Sequence, residues 1–292
     1  MNSVLKLDES AAPVLVRTAM FDATERRAYE TELLAARRRA EESEARATAL
    51  ARTLQATFLP PAIGPIPGLD VAGAYRPAGD GTEVGGDFYD LFETERGSWS
   101  VVLGDVCGKG AGAAVVTALV RYTVRAEALH APCPSAVLRT LHHALVRDQP
   151  ENCCTAVFVR LEQGDGGVRA GVSSGGHPLP LCHRADGTVE AVGRNGTMLG
   201  ILDEPALHDD TTVLRAGDLL VLYTDGVTEA RRDGEFFGTG RLRATLGSVA
   251  GSEAQAVADG IVAAAVEFQG GDARDDIAVV AVRVPPNGPS RG

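Results

Sequence analysis

The chain has 292 residues, and 28 Lys plus Arg stand against 39 Asp plus Glu, a formal charge of -11. That length holds one substantial core with residues left for an appendage, and the acid excess excludes a nucleic-acid-binding surface, which needs clustered Lys and Arg. No run of about 18 uncharged apolar residues occurs, and MNSVLKLDES lacks the basic-then-apolar plan of a secretion signal. No membrane span and a cytoplasmic location are therefore expected. The five cysteines, Cys107, Cys133, Cys153, Cys154 and Cys182, are an odd count without C-x-x-C spacing. They predict reduced, mostly buried thiols and neither a disulfide framework nor a zinc site.

Residues 1–24 read as an N-terminal tail. VLVRTAMFDATERRAYE, residues 14–30, is similar to the closing strand of a PAS sensor domain entering its signalling helix. Two dozen residues cannot hold a folded sensor, and a disordered tail is the alternative. Residues 25–59 are rich in Glu, Arg and Ala, with no Gly or Pro until Pro60 and Pro61, which predicts one long helix. Tyr29, Leu33, Ala36, Ala40, Ser43, Ala47, Leu50 and Leu54 follow a 4-3-4-3 spacing, the seam of a coiled coil that would make a homodimer. Ala and Ser bury little area, so the seam is thin.

Residues 60–285 carry the catalytic-size domain, and 286–292 read as a disordered tail. Strands are predicted at 69–76, 87–93, 98–106, 155–162, 168–174, 179–184, 211–215, 218–225 and 277–284, and helices at 111–129, 134–147 and 253–268. Consecutive strands with hairpin-length gaps, rather than regular strand–helix alternation, predict an α+β fold of antiparallel sheets with segregated helices.

The most informative stretch is VGGDFYDLFETERGSWSVVLGDVCGKG, residues 84–110. A hairpin turning near Arg96 places Leu91 opposite Val101, Tyr89 opposite Leu103 and Asp87 opposite Asp105. Two opposed carboxylates repel each other, and a cation between them reverses that sign. Asp225 follows an apolar strand into a Gly turn, and Asp275, with Asp276 beside it, precedes the last apolar strand. Four strand-end aspartates without matching histidines or cysteines specify a hard cation, Mg²⁺ or Mn²⁺ rather than zinc. A pair of such ions activates water for attack on a phosphate ester without a covalent enzyme intermediate.

VGGDFYD, GDVCGKG, TDGVTEA and DD-I-A resemble, in order, the motifs of the metal-dependent protein phosphatase (PPM) superfamily, in its bacterial SpoIIE-like branch of stress-response sigma-factor regulators. The resemblance runs from about Phe58 to Val284. It implies a sandwich of two packed antiparallel sheets flanked by helices, and two Mn²⁺ or Mg²⁺ ions held by Asp87, Asp105, Asp225, Asp275 and the backbone carbonyl of Val106. It also implies a protein serine/threonine phosphatase whose substrate is a phosphorylated anti-sigma-factor antagonist of the STAS fold. The chain departs from the family pattern at Ala278, where Thr or Ser is usual, and at Ser174-Gly175-Gly176-His177, where Asn-Ala-Gly-His is expected. His177 reads as a structural histidine near a turn. Thr82-Glu83 and Thr228-Glu229 look like parts of family elements that line or control the site, placed at best behind the ligands.

Gly108-Lys109-Gly110-Ala111-Gly112-Ala113 mimics a dinucleotide-binding turn, but the helix after it is followed by another helix instead of the strand a Rossmann unit needs. The alternative to an enzyme is a catalytically silent phosphatase-like module that relays signals through a helical dimer. A silent relative usually lacks a metal ligand, and all four aspartates are present here.

Overall fold

The computed structural model describes residues 2–8, 10, 13–19, 24–58, 66–79, 85–95, 97–149, 151–164, 166–249 and 251–286. The chain forms two compact units, residues 1–49 and 50–292. In the first unit β1 (Asn2–Leu7) and β2 (Pro13–Ala19) make an antiparallel hairpin, followed by α1 (Thr24–Phe58), which continues past the unit boundary. An uninterrupted run of good helix formers explains the 35-residue length of α1. Tyr29, Leu33 and Leu34 are all exposed on it, and Arg37 Nε donates to Glu41 Oε1 at 2.8 Å one turn away. The seam side chains Ala47, Leu50 and Leu54 lie outside the described side chains.

The second unit is built on two five-stranded sheets. The first contains β4 (Asp87–Glu95), β5 (Ser98–Val106), β6 (Cys154–Gly164), β7 (Gly167–Gly175) and β10 (Asp210–Leu214), in the order β10-β7-β6-β5-β4. The second contains β3 (Asp70–Arg76), β8 (Leu181–His183), β9 (Val189–Ala191), β11 (Leu219–Tyr223) and β14 (Ile277–Arg283), in the order β3-β14-β11-β8-β9. Every ladder in both sheets is antiparallel.

Alternation along the strands sorts three cores. Tyr89, Val101, Leu103, Val157 and Val159 of the first sheet meet Leu220, Leu222, Ala278, Val280 and Val282 of the second between the layers. Residues of opposite parity, including Phe88, Val102 and Phe158, pack under α2 (Ala111–Ala128) and α3 (Pro134–Asp148). Leu219, Val221, Ile277 and Val279 pack under α5 (Gly238–Val249) and α6 (Ala254–Phe268). β14 is buried on both faces, which is why IAVVAVR is apolar at consecutive positions instead of alternating. The α+β sandwich expected from the sequence is the architecture observed: helices, sheet, sheet, helices.

On β4, Asp90 is fully buried on the helix side, where Arg125 donates to both its oxygens at 2.6 and 2.8 Å and ties α2 to the sheet. Several elements escaped the sequence reading. α4 (Asp225–Thr228) and the β12 (Arg231–Arg232) and β13 (Glu235–Phe236) hairpin are too short to show a period. α5 carries Gly238, Gly240 and Gly247 and forms because Leu242 and Leu246, one turn apart, are both fully buried.

The cysteine expectation is corrected. Cys107 and Cys153 form a disulfide with a Cα–Cα separation of 5.4 Å, while Cys154 and Cys182 are buried thiols and Cys133 is half-buried. The physical reason is register. The β5–β6 ladder ends at Val106 opposite Cys154, so the next step outward brings Cys107 and Cys153 together, and Cys107 N–H donates to Cys153 O at 2.9 Å.

Candidate metal centre

β4 opens with Asp87 and β5 nearly closes with Asp105, and the observed register sets them directly opposite each other. By parity they share the inner face with Tyr89, Val101 and Leu103, so the first sheet delivers both carboxylates to one end of the sandwich. The second sheet delivers the others: β11 runs through buried Thr224 into Asp225 at the start of α4, and Asp275 and Asp276 immediately precede β14.

One hydroxyl couples the two sheets. Thr224 Oγ1 donates to Asp87 Oδ2 at 2.6 Å and accepts from Ala278 N–H at 2.9 Å, while Thr224 N–H donates to Ala278 O at 3.0 Å. Asp276 is buried, and its Oδ1 accepts from Ala78 N–H at 2.9 Å. Asp275 is exposed and lies 3.7 Å from Lys109 Nζ. Two glycines are required by close approach. A Cβ on Gly85 would overlap the Asp276 carboxylate, and one on Gly86 would overlap both Asp105 Oδ1 and the Val106 carbonyl.

The carboxyl groups perturb one another as neighbouring anions must. Burial, then the Asp105 charge, pushes the Asp87 carboxyl well up from its ordinary value, against the lowering by the Thr224 hydrogen bond. Burial, then Asp225, Asp275 and Asp276, lifts Asp105 to about 7, with Lys109 pulling the other way. Asp225 is raised by burial first and by Glu229 and Asp275 next. Among the described residues, no three His, Cys, Asp or Glu side chains are arranged around one point so as to hold an ion. Three of the acids instead lean on partners of their own: Thr224 for Asp87, Ala78 N–H for Asp276 and Lys109 for Asp275.

Of the residues singled out in the sequence, Asp87, Asp105, Asp225 and Asp275 are thus electrostatically coupled at one end of the sandwich, with the Val106 carbonyl beside Gly86. Thr82 and Glu83 lie outside the described residues. Thr228 Oγ1 donates to Asp225 O at 3.3 Å. His177 is buried, its Nδ1 is 2.8 Å from Thr155 Oγ1, and burial depresses its pKa to about 3, so the ring is a neutral structural group. Thr224 and the buried role of Asp276 were missed. Thr224 stands in the TDGVTEA motif, but its bond to Asp87 crosses 137 positions.

The sequence profile described as Stage II sporulation protein E (SpoIIE) matches residues 95–285. The chain belongs to the SpoIIE family. It is 25% identical over 234 residues to Phosphoserine phosphatase RsbU of Bacillus subtilis, covering 80% of this chain and 69% of that protein. It is 27% identical over 222 residues to Protein IcfG of Synechocystis sp., covering 67% of this chain and 34% of that protein. The chain therefore spans about a third of the length of IcfG. The solved PP2C phosphatase domain with a regulatory fragment of SpoIIE from Bacillus subtilis superimposes with a TM-score of 0.66 at 22% identity, covering 74% of this chain and 62% of that one. This SpoIIE-family chain has the PP2C fold.

Replacing Thr224 by Val keeps the shape but removes the hydroxyl that fixes Asp87. With Asp87 as a metal ligand, as the family resemblance implies, groups that orient such ligands typically contribute 10- to 100-fold in affinity or activity, and Thr224→Val would raise the half-saturating Mn²⁺ concentration by about that factor. Titration of a metal-dependent signal with Mn²⁺ reads it directly, and an unchanged midpoint would remove Thr224 from the site.

Proposed function

We propose that the chain is a cytoplasmic, metal-dependent protein phosphatase that hydrolyses phosphoserine or phosphothreonine on a partner protein. The observation that carries this reading is the facing pair Asp87 and Asp105, closed over by Asp225 and Asp275 from the second sheet. Carboxylates and a carbonyl, without His or Cys, suit a hard cation, and the burial and mutual repulsion that raise their pKa values are what such a cation offsets. Asp87, Asp105, Asp225, Asp275 and the Val106 carbonyl would hold two Mn²⁺ or Mg²⁺ ions. When bound, the ions supply acidity to a water and offset charge on the phosphoryl group.

The protein's own residues prepare this centre. Thr224 orients Asp87 and favours its ionised form by donating to it, against the burial that raises its pKa, Gly85 and Gly86 let the acids approach the backbone, and Asp276 fixes Ala78 against the second sheet. The name phosphoserine phosphatase borne by RsbU supports a phosphoprotein substrate. Our reading of the substrate class is an anti-sigma-factor antagonist of the STAS fold. The exposed Tyr29, Leu33 and Leu34 on α1 support pairing of two copies through that helix.

The test is release of phosphate from phosphorylated STAS proteins of the same genome, with Mn²⁺ or with chelator, beside an aryl phosphate as a generic ester. Mn²⁺-dependent release from the phosphoprotein, faster than from the aryl ester, is the expected result. Equal rates with chelator would overturn the metal assignment, and preference for the aryl ester would overturn the protein substrate.

A further inference from the structure

Beside the carboxylate centre runs an open cleft lined in part by Gly226, Glu229, Arg231, Gln269, Arg274 and Asp275. It shares Asp275 with the centre but contains neither Asp87 nor Asp105, so it begins at the proposed reaction site and leads away from it.

Its walls carry donors that find no acceptor among the described residues. Arg231 and Arg274 are exposed, and neither forms an ion pair among the described residues. Other arginines nearby are engaged: Arg232 pairs with Asp233 at 3.7 Å, and Arg241 with Glu235 at 2.9 Å. The Arg231 guanidinium is stacked 4.3 Å from the Phe236 ring centre, which limits its freedom while leaving its N–H fork unused. Gln269 is buried in the wall. Its Oε1 accepts from Arg274 N–H at 3.4 Å, but its Nε2 is buried without a partner. Gln269 and two guanidiniums without an ion pair among the described residues line one cleft in a chain whose net charge is -11.

We propose that this cleft is a substrate subsite in which Arg231 and Arg274 take the carboxylate of an acidic side chain flanking the phosphoserine. A planar guanidinium fork matches a carboxylate or a phosphate equally well. The position decides between them, because the reacting phosphate belongs at Asp87 and Asp105, outside the cleft, while a neighbouring residue of the same peptide reaches into it. The proposal rests on the phosphatase reading and adds a sequence preference to it.

Three synthetic phosphoserine peptides test it, with Glu, Ala or Lys on both sides of the phosphoserine, turned over by the full chain with Mn²⁺. Wild type is expected to favour the Glu peptide over the Lys peptide by about tenfold or more in kcat/KM, expressed in KM, the scale of one charge-assisted contact. Arg231→Ala with Arg274→Ala should bring that ratio below about two, and Arg231→Glu with Arg274→Glu should invert it. A wild-type ratio near one overturns the subsite. So does an equal loss for all three peptides in the double-alanine variant, which would assign the guanidiniums to the reacting phosphate. Anisotropy of the same peptides, fluorescein-labelled and in chelator, reads the preference without turnover. Preference in binding with no hydrolysis would preserve the subsite and defeat the phosphatase reading, whereas hydrolysis without preference would do the reverse.

Discussion

Asp105→Asn is expected to lower Mn²⁺-dependent turnover by at least about 1000-fold, equivalent to about 4 kcal/mol of transition-state stabilisation, and to make the metal-free protein more stable at pH 8. Both effects come from one cause. Asp105 is largely buried, faces Asp87 and is surrounded by Asp225, Asp275 and Asp276, so without a cation its charge is held at a cost. Its folded pKa of about 7 lies above the ordinary 3.8, so the folded state binds a proton more readily than the unfolded chain between those values. The stability this contributes is full below about pH 4 and is lost as pH rises through 7. The metal-free wild type should therefore melt at a lower temperature at pH 8 than at pH 6, and Mn²⁺ should raise the melting temperature more at pH 8. In Asp105→Asn both the pH difference and the Mn²⁺ effect should shrink. Thermal melts with chelator and with Mn²⁺ at the two pH values measure this. A variant that melts lower than wild type at pH 8 with chelator would show that Asp105 stabilises the empty centre, contrary to the electrostatics above.

Removing the disulfide has the second large expected effect. Cys107 and Cys153 are 46 positions apart, and closing a loop of that length removes enough unfolded-chain entropy to stabilise the fold by about 4 kcal/mol. Cys107→Ser with Cys153→Ser should lower the urea unfolding free energy by about 3–4 kcal/mol, and a dithiol reductant should do the same to wild type but nothing to the variant. Since Cys107 follows Val106 directly, the loss should be accompanied by weaker Mn²⁺ binding. Thiol titration of unfolded, unreduced protein should find three free thiols of the five cysteines. Five free thiols with no effect of the double substitution would contradict it.

What was legible in the sequence follows how far apart the interacting residues lie. The β4–β5 register could be read because a short hairpin with alternating apolar residues permits one pairing, and it fixed Asp87 against Asp105. Antiparallel sheets with segregated helices followed from hairpin-length gaps between strands, and the two-sheet sandwich from the family resemblance. The disulfide was not legible, because it depends on the pairing of β5 with β6 across two intervening helices. Nor was the Thr224 bond to Asp87, which joins strands of different sheets. Asp275 and Asp276 are adjacent, and only the fold shows one exposed beside Lys109 and the other buried against Gly85. Helix α5, with its three glycines, exists by tertiary packing and has no local signature.

Carboxylates delivered by both sheets are proposed to share divalent cations. Anomalous diffraction from a crystal grown with Mn²⁺ tests this sharing most directly. Manganese peaks are expected between the carboxylates of Asp87 and Asp105, with the Val106 carbonyl, Asp225 and Asp275 close enough to coordinate them. Manganese elsewhere on the surface, and none between the paired strands, would contradict it.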